Sequence, residues 1–109
     1  MKMKFISRSE EFIMLAVWRL KENAYAVPIR EQLKKVTSKT WAFGALFVML
    51  NRLEKKGLLE SYLANPLPKR GGRSKRIYTL STEGMKALEE VKNVHKSVWT
   101  GIKDFPIKG

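Results

Sequence analysis

The chain has 109 residues, enough for one compact domain with its own core and too few for two. It carries 22 Lys and Arg against 10 Asp and Glu, a formal charge of +12, and such a field attracts polyanions. With no cysteine and one histidine, His95, disulfides, thiolate chemistry and Cys- or His-rich metal sites are excluded, and neither a metal nor another cofactor is expected.

The first seven residues are basic but hold no apolar run long enough for a signal peptide, and nothing later approaches a membrane span, so a cytoplasmic, nucleoid-associated protein is the expectation. Ser7 and Glu10 have the capping-box spacing, which predicts a first helix over residues 9–21. Its apolar residues, Phe12, Ile13, Leu15, Ala16, Val17, Trp18 and Leu20, surround most of the axis instead of forming one stripe. One side has the domain's own core to pack on; the other calls for a helix from elsewhere, most economically from a second subunit. Pro28 is expected at the first position of a second helix, with Ile29, Leu33 and Val36 turned inward. The hydroxyls of residues 37–40 suit a turn and an N-cap. A third helix over residues 41–56 follows, with Phe43, Leu46, Phe47, Leu50 and Leu53 as its buried stripe and Gly57 as its stop. Two helices joined by a short polar turn form a helix-turn-helix.

Residues 58–64 and 76–80 are strand candidates. From Ser61 to Thr82 the chain holds five cations, Lys69, Arg70, Arg73, Lys75 and Arg76, no acid, and a break made by Pro66, Pro68, Gly71 and Gly72. That is a basic hairpin beside a helix-turn-helix, the arrangement with which a winged helix grips duplex DNA. Ser81 then caps a fourth helix, on which Leu88, Val91, His95, Val98 and Ile102 alternate spacings of three and four in a heptad seam, ended by Pro106.

Outside its buried stripe the third helix presents Ala45, Val48, Met49, Arg52 and Lys55, with Thr40 and Trp41 at its start. In a major groove Arg52 suits base edges or phosphate, Thr40 a phosphate, and Ala45, Val48 or Met49 a thymine methyl. An ordinary amphipathic helix gives the same pattern, and Val48 and Met49 suit a protein cover equally well. The hairpin cations act by releasing counterions from phosphates. His95 reads as an interface histidine, and Trp99 as dimer packing, although Trp18 and Trp99 across a dimer axis also suit a planar hydrophobic effector. Catalysis finds no constellation of nucleophile, base and oxyanion donors, so an enzyme is not expected.

Three stretches resemble the PadR family of bacterial transcriptional regulators: residues 24–30 (AYAVPIR), 44–58 (GALFVMLNRLEKKGL) and 70–84 (RGGRSKRIYTLSTEG). The middle one is similar to that family's recognition helix and the last to its wing. The resemblance implies a winged-helix homodimer, held by the C-terminal helix against the partner's N-terminal region, that represses transcription from a near-palindromic operator. Family members often respond to phenolic or planar hydrophobic molecules. Where the family commonly has Ser two residues before the recognition-helix glycine this chain has Ala42, and where it commonly has Tyr three residues after, it has Phe47, which removes two hydroxyls.

The expectation is a mainly α fold with one small β-hairpin. Residues 1–82 would be the winged helix-turn-helix with its N-terminal helix, and 83–109 the dimerisation helix and tail. DNA contacts are assigned to Thr40, Trp41, Ala45, Met49, Arg52, Lys69, Arg70, Arg73, Lys75 and Arg76. The dimer interface is assigned to Phe12, Leu15, Trp18, Leu88, Val91, His95, Val98, Trp99 and Ile102. The rival readings are a protein-binding module built on the same scaffold and a ligand-sensing regulator with an aromatic dimer cavity.

Overall fold

The computed structural model describes residues 6–64 and 75–108. Helix α1 (Arg8–Leu20) opens on the expected capping box: the Glu10 amide donates to Ser7 Oγ at 3.1 Å and the Ser7 amide to Glu10 Oε1 at 2.8 Å. It ends one residue early because Lys21 turns to φ 54°, and a 3-10 turn, Lys21–Asn23, follows. Helix α2 (Ala26–Thr37) starts two residues before Pro28, which therefore sits at the third helical position. The proline is tolerated there because first-turn amides have no intrahelical acceptor.

Helix α3 (Phe43–Lys55) is capped by the backbone of Ala42, with no side-chain cap. The expected hydroxyl is engaged elsewhere, since Thr37 Oγ1 donates to the Leu33 carbonyl at 2.7 Å. The far end of α3 is a Schellman motif: the Leu58 amide donates to the Leu53 carbonyl and the Gly57 amide to Glu54, while Gly57 takes φ 77°. This reversal sends the chain into β1 (Leu59–Ala64), which pairs antiparallel with β2 (Lys75–Leu80) in the register Leu59↔Leu80 to Ala64↔Lys75. The outer edge of β2 is joined by the connection after α1, through a bond from the Tyr78 amide to the Ala24 carbonyl. Helix α4 (Thr82–Trp99) is capped by Ser81, whose Oγ accepts from the Gly84 amide at 3.0 Å.

Ile13, Met14, Val17, Ile29, Leu33, Leu46, Leu50, Leu53, Leu58 and Leu59 form the heart of one core. Each large aliphatic side chain there stabilises by roughly 1.5–3 kcal/mol. Gly84 brings α4 onto this core, because a Cβ at that position would sit on the Leu58 carbonyl oxygen.

Four further sequence expectations are corrected. Val36 is exposed, so α2 buries only Ile29 and Leu33. Phe43 and Phe47 lie at the margin of α3, 37% and 46% exposed, leaving Leu46, Leu50 and Leu53 as the stripe. Met49 and Trp41, read as outward-facing, are half-buried and pack on the core. Finally, α4 stops at Trp99, well before Pro106: Thr100 Oγ1 takes the Lys96 carbonyl, and Gly101 reverses the chain at φ 81°. Ile102 therefore lies beyond the helix, and the seam is one turn shorter than the spacing suggests.

Candidate nucleic-acid interface

The helix-turn-helix is fixed at its corner by Arg30 of α2. Its Nε donates to the Trp41 carbonyl at 2.6 Å and its guanidinium lies 4.3 Å from the centre of the Phe43 ring, which itself stacks on Phe47 at 6.4 Å. Helical spacing does not single out Arg30; the nearest signal in the sequence is its place after the buried Ile29. Trp41 serves this corner, half-buried, with its indole packed against the core. Its Nε1 is buried without an acceptor among the described residues.

With the inner stripe buried, α3 exposes Gly44, Ala45, Val48, Asn51, Arg52 and Lys55. Thr40 is exposed in the approach to the helix, beside Lys39. Asn51 was missed because an amide inside a helical pattern carries no periodic signal; only the radial position of the folded helix singles it out.

The hairpin is tied to the end of α3. Arg76 Nη1 donates to Ser61 Oγ at 2.9 Å, and Ser61 Oγ donates to Glu54 Oε2 at 2.7 Å. The only acid in the C-terminal half of α3 is thereby turned toward the strand. Burial, and secondarily the Glu54 charge, raise the Tyr78 hydroxyl above its ordinary pKa, with Arg76 opposing. Lys75 Nζ sits 4.3 Å from the Tyr25 ring centre and 3.3 Å from its hydroxyl, beside the start of α2. Lys69, Arg70 and Arg73 lie outside the described residues.

A second surface is apolar. Leu15 and Trp18 of α1 and Met85, Val94, Val98 and Trp99 of α4 are all exposed by more than a third. Phe12, Leu88, Val91 and His95 are half-buried beside them, with His95 Nε2 at 3.1 Å from Glu11 Oε1. Between α1 and α4 lies a cleft of about 500 Å³, lined by Leu15, Trp18, Met85, Leu88 and His95 among others. Within one protomer the two tryptophans do not share it: Trp18 lines the cleft, under Lys21 at 4.8 Å, whereas Trp99 stacks edge-on against Phe105 at 6.1 Å. No described helix is long and apolar enough to cross a membrane.

A family model described as the transcriptional regulator PadR-like family matches residues 14–90. A solved PadR-like transcription factor from Bacteroides fragilis is 29% identical, with a TM-score of 0.71 over 83% of this chain and 82% of that one. A PadR family transcriptional regulator from Eggerthella lenta is 26% identical, with a TM-score of 0.67 over 87% and 80%. A PadR-like regulator from Bacillus cereus, 22% identical over 86% of each chain with a TM-score of 0.66, shares the fold. No match to a curated protein is found.

Proposed function

Because the chain belongs to the PadR-like family of transcriptional regulators, and is on that ground a DNA-binding regulator rather than an enzyme, we propose that it represses transcription as a homodimer on a near-palindromic operator. The observation that carries the dimer is the uncovered apolar face of α1 and α4, with Trp18 51%, Val98 67% and Trp99 57% exposed. Contiguous apolar surface of this kind marks a protein interface. A two-fold axis through it presents two recognition helices to one duplex, which is why the operator should repeat with inverted sense.

In this assembly Phe12, Leu15, Trp18, Leu88, Val91, His95, Val98 and Trp99 meet the partner, and Ile102 joins them from the tail instead of the helix. Arg52 and Ala45 enter the major groove, Met49 supports them from below, and Thr40 meets phosphate. Lys75 and Arg76, with Lys69, Arg70 and Arg73 of segment 65–74, neutralise the flanking backbone. The setting is the cytoplasm, at the nucleoid. The α1/α4 cleft favours a second role for the same dimer, binding of a planar hydrophobic effector against Trp18.

A salt titration tests the proposal. Log affinity for an operator duplex should fall linearly with log salt, and replacing Lys75 and Arg73 with Ala should flatten the slope by about one for each lost phosphate contact. Sedimentation at micromolar concentration should give a dimer. A monomer there, or failure to retard genomic fragments at low salt, overturns the proposal.

A further inference from the structure

The strip of α3 opposite its buried stripe runs Gly44, Val48, Asn51, Lys55, at spacings of four, three and four that keep it on one line of the helix. All four are exposed, Val48 by 57%, and a Cβ at Gly44 would meet nothing within 4 Å. From the N-terminal end the strip offers bare backbone, a branched apolar group, a side-chain amide and a cation, with Arg52 alongside. No acid stands on it, and Glu54 is drawn away to Ser61 at 2.7 Å.

From this order of groups we infer that the recognition helix reads two neighbouring A·T pairs in each half-site, Val48 covering a thymine methyl and Asn51 pairing with an adjacent adenine. The inference rests on the DNA-binding reading of the same helix. An amide carries a donor and an acceptor side by side and matches the N6 and N7 edge of adenine, whereas valine has no hydrogen-bonding group and matches in the major groove only the thymine C5-methyl. A cytosine amino group, a lone donor in the groove, is best met by a carboxylate, and the strip carries none. Three residues of helix advance about 4.5 Å, close to the step of about 3.4 Å between base pairs, so Val48 and Asn51 address neighbours. Gly44 lets the start of the helix approach the groove floor. The cations Arg52 and Lys55 give this apolar centre its occupant: an exposed valine with positive charge on the following turns is complementary to a polyanion with methyl groups in its groove.

The test begins with selection of high-affinity duplexes from a random pool by the full-length protein. Selected sites should carry an invariant pair of A·T steps in each half-site. Replacing the thymine there by deoxyuridine, which removes only the methyl, should weaken binding about fourfold per half-site, the effect of uncovering one methyl group. Replacing the adenine by 7-deazaadenine should weaken binding by roughly fivefold or more. Val48→Ala should shrink the response to deoxyuridine alone, and Asn51→Ala remove the response to 7-deazaadenine alone. Selected sites with G·C at these positions, or an unchanged deoxyuridine response in Val48→Ala, overturn the inference while salt-dependent DNA binding stands. If Val48→Ala abolishes capture of a protein partner and leaves DNA affinity untouched, the strip is a protein contact and the inference falls. Absence of any DNA binding overturns both it and the function on which it rests.

Discussion

Helices α3 and α4 are built alike and finished differently. Each has a glycine in its first turn, each buries one face, and each leaves the other uncovered. On α3 the uncovered side carries Asn51, Arg52 and Lys55 around Val48; on α4 it carries Val94, Val98 and Trp99. An unpacked face thus has two physical meanings. A cationic, hydrogen-bonding face is stable in water and waits for a polyanion, whereas an apolar one is stable only when another protein surface removes it from water. The N-termini differ in the same sense: Ser81 caps α4 and locks it to the core, while α3 begins on the uncapped Ala42 with its first turn open.

The contrast can be broken most violently at the glycines. Gly84→Ala should destabilise the domain by about 3 kcal/mol, read by chemical denaturation, because the added methyl collides with the Leu58 carbonyl and α4 must lift from the core. Next in size, Val98→Glu should weaken self-association at least about a hundredfold, or ~2.7 kcal/mol, by forcing a charge into the apolar seam, and sedimentation should show monomer at micromolar concentration. No α3 surface variant should do so.

The end of α3 supplies a pH-dependent check. Glu10 is buried and meets Lys56 at 2.7 Å. Its burial works to raise the carboxyl pKa, but the Lys56 contact and the Ser7 bonds outweigh that and hold it below its ordinary 4.5. Since the folded value is the lower one, the carboxylate's contribution is complete above the unfolded pKa and disappears as pH falls through the folded one. Glu10→Gln should therefore cost about 1–2 kcal/mol at neutral pH, and the gap between variant and parent should close in acid below 4.5. Smaller still, Ala42→Ser should stabilise by about 1 kcal/mol by supplying the missing cap. Gly44→Ala, in open space, should stabilise by at most about 0.5–1 kcal/mol while narrowing the approach of α3 to its groove. A loss of stability there, comparable to that at Gly84, would erase the distinction between the two helices.

Local chemistry made much of the architecture legible. Ser7 with Glu10, Ser81, and Gly57 mark helix ends through bonds to residues within five positions, and all three act as their types suggest. The order of helices and strands followed from those signals and from periodicity. Depth was harder. Phe43, Phe47 and Val36 match a buried pattern by spacing, yet no described element buries them, while Met49 and Trp41 match an exposed one and pack on the core. At the candidate interface, Arg52 and Ala45 stand on the open side as their spacing suggests, but Asn51 and Arg30 emerge only from where α2 and the core lie around α3.

What the sequence by itself determined is the set of elements and the sign of the field, because caps, glycines, periodicity and charge act over a few residues or on the whole chain at once. Which faces remain uncovered was decided only by tertiary structure. A side chain's burial depends on neighbours distant in the chain: the Leu58 carbonyl admits nothing but glycine at position 84, Ser61 draws Glu54 off the outer strip of α3, and Thr100 with Gly101 ends α4 before its seam is complete.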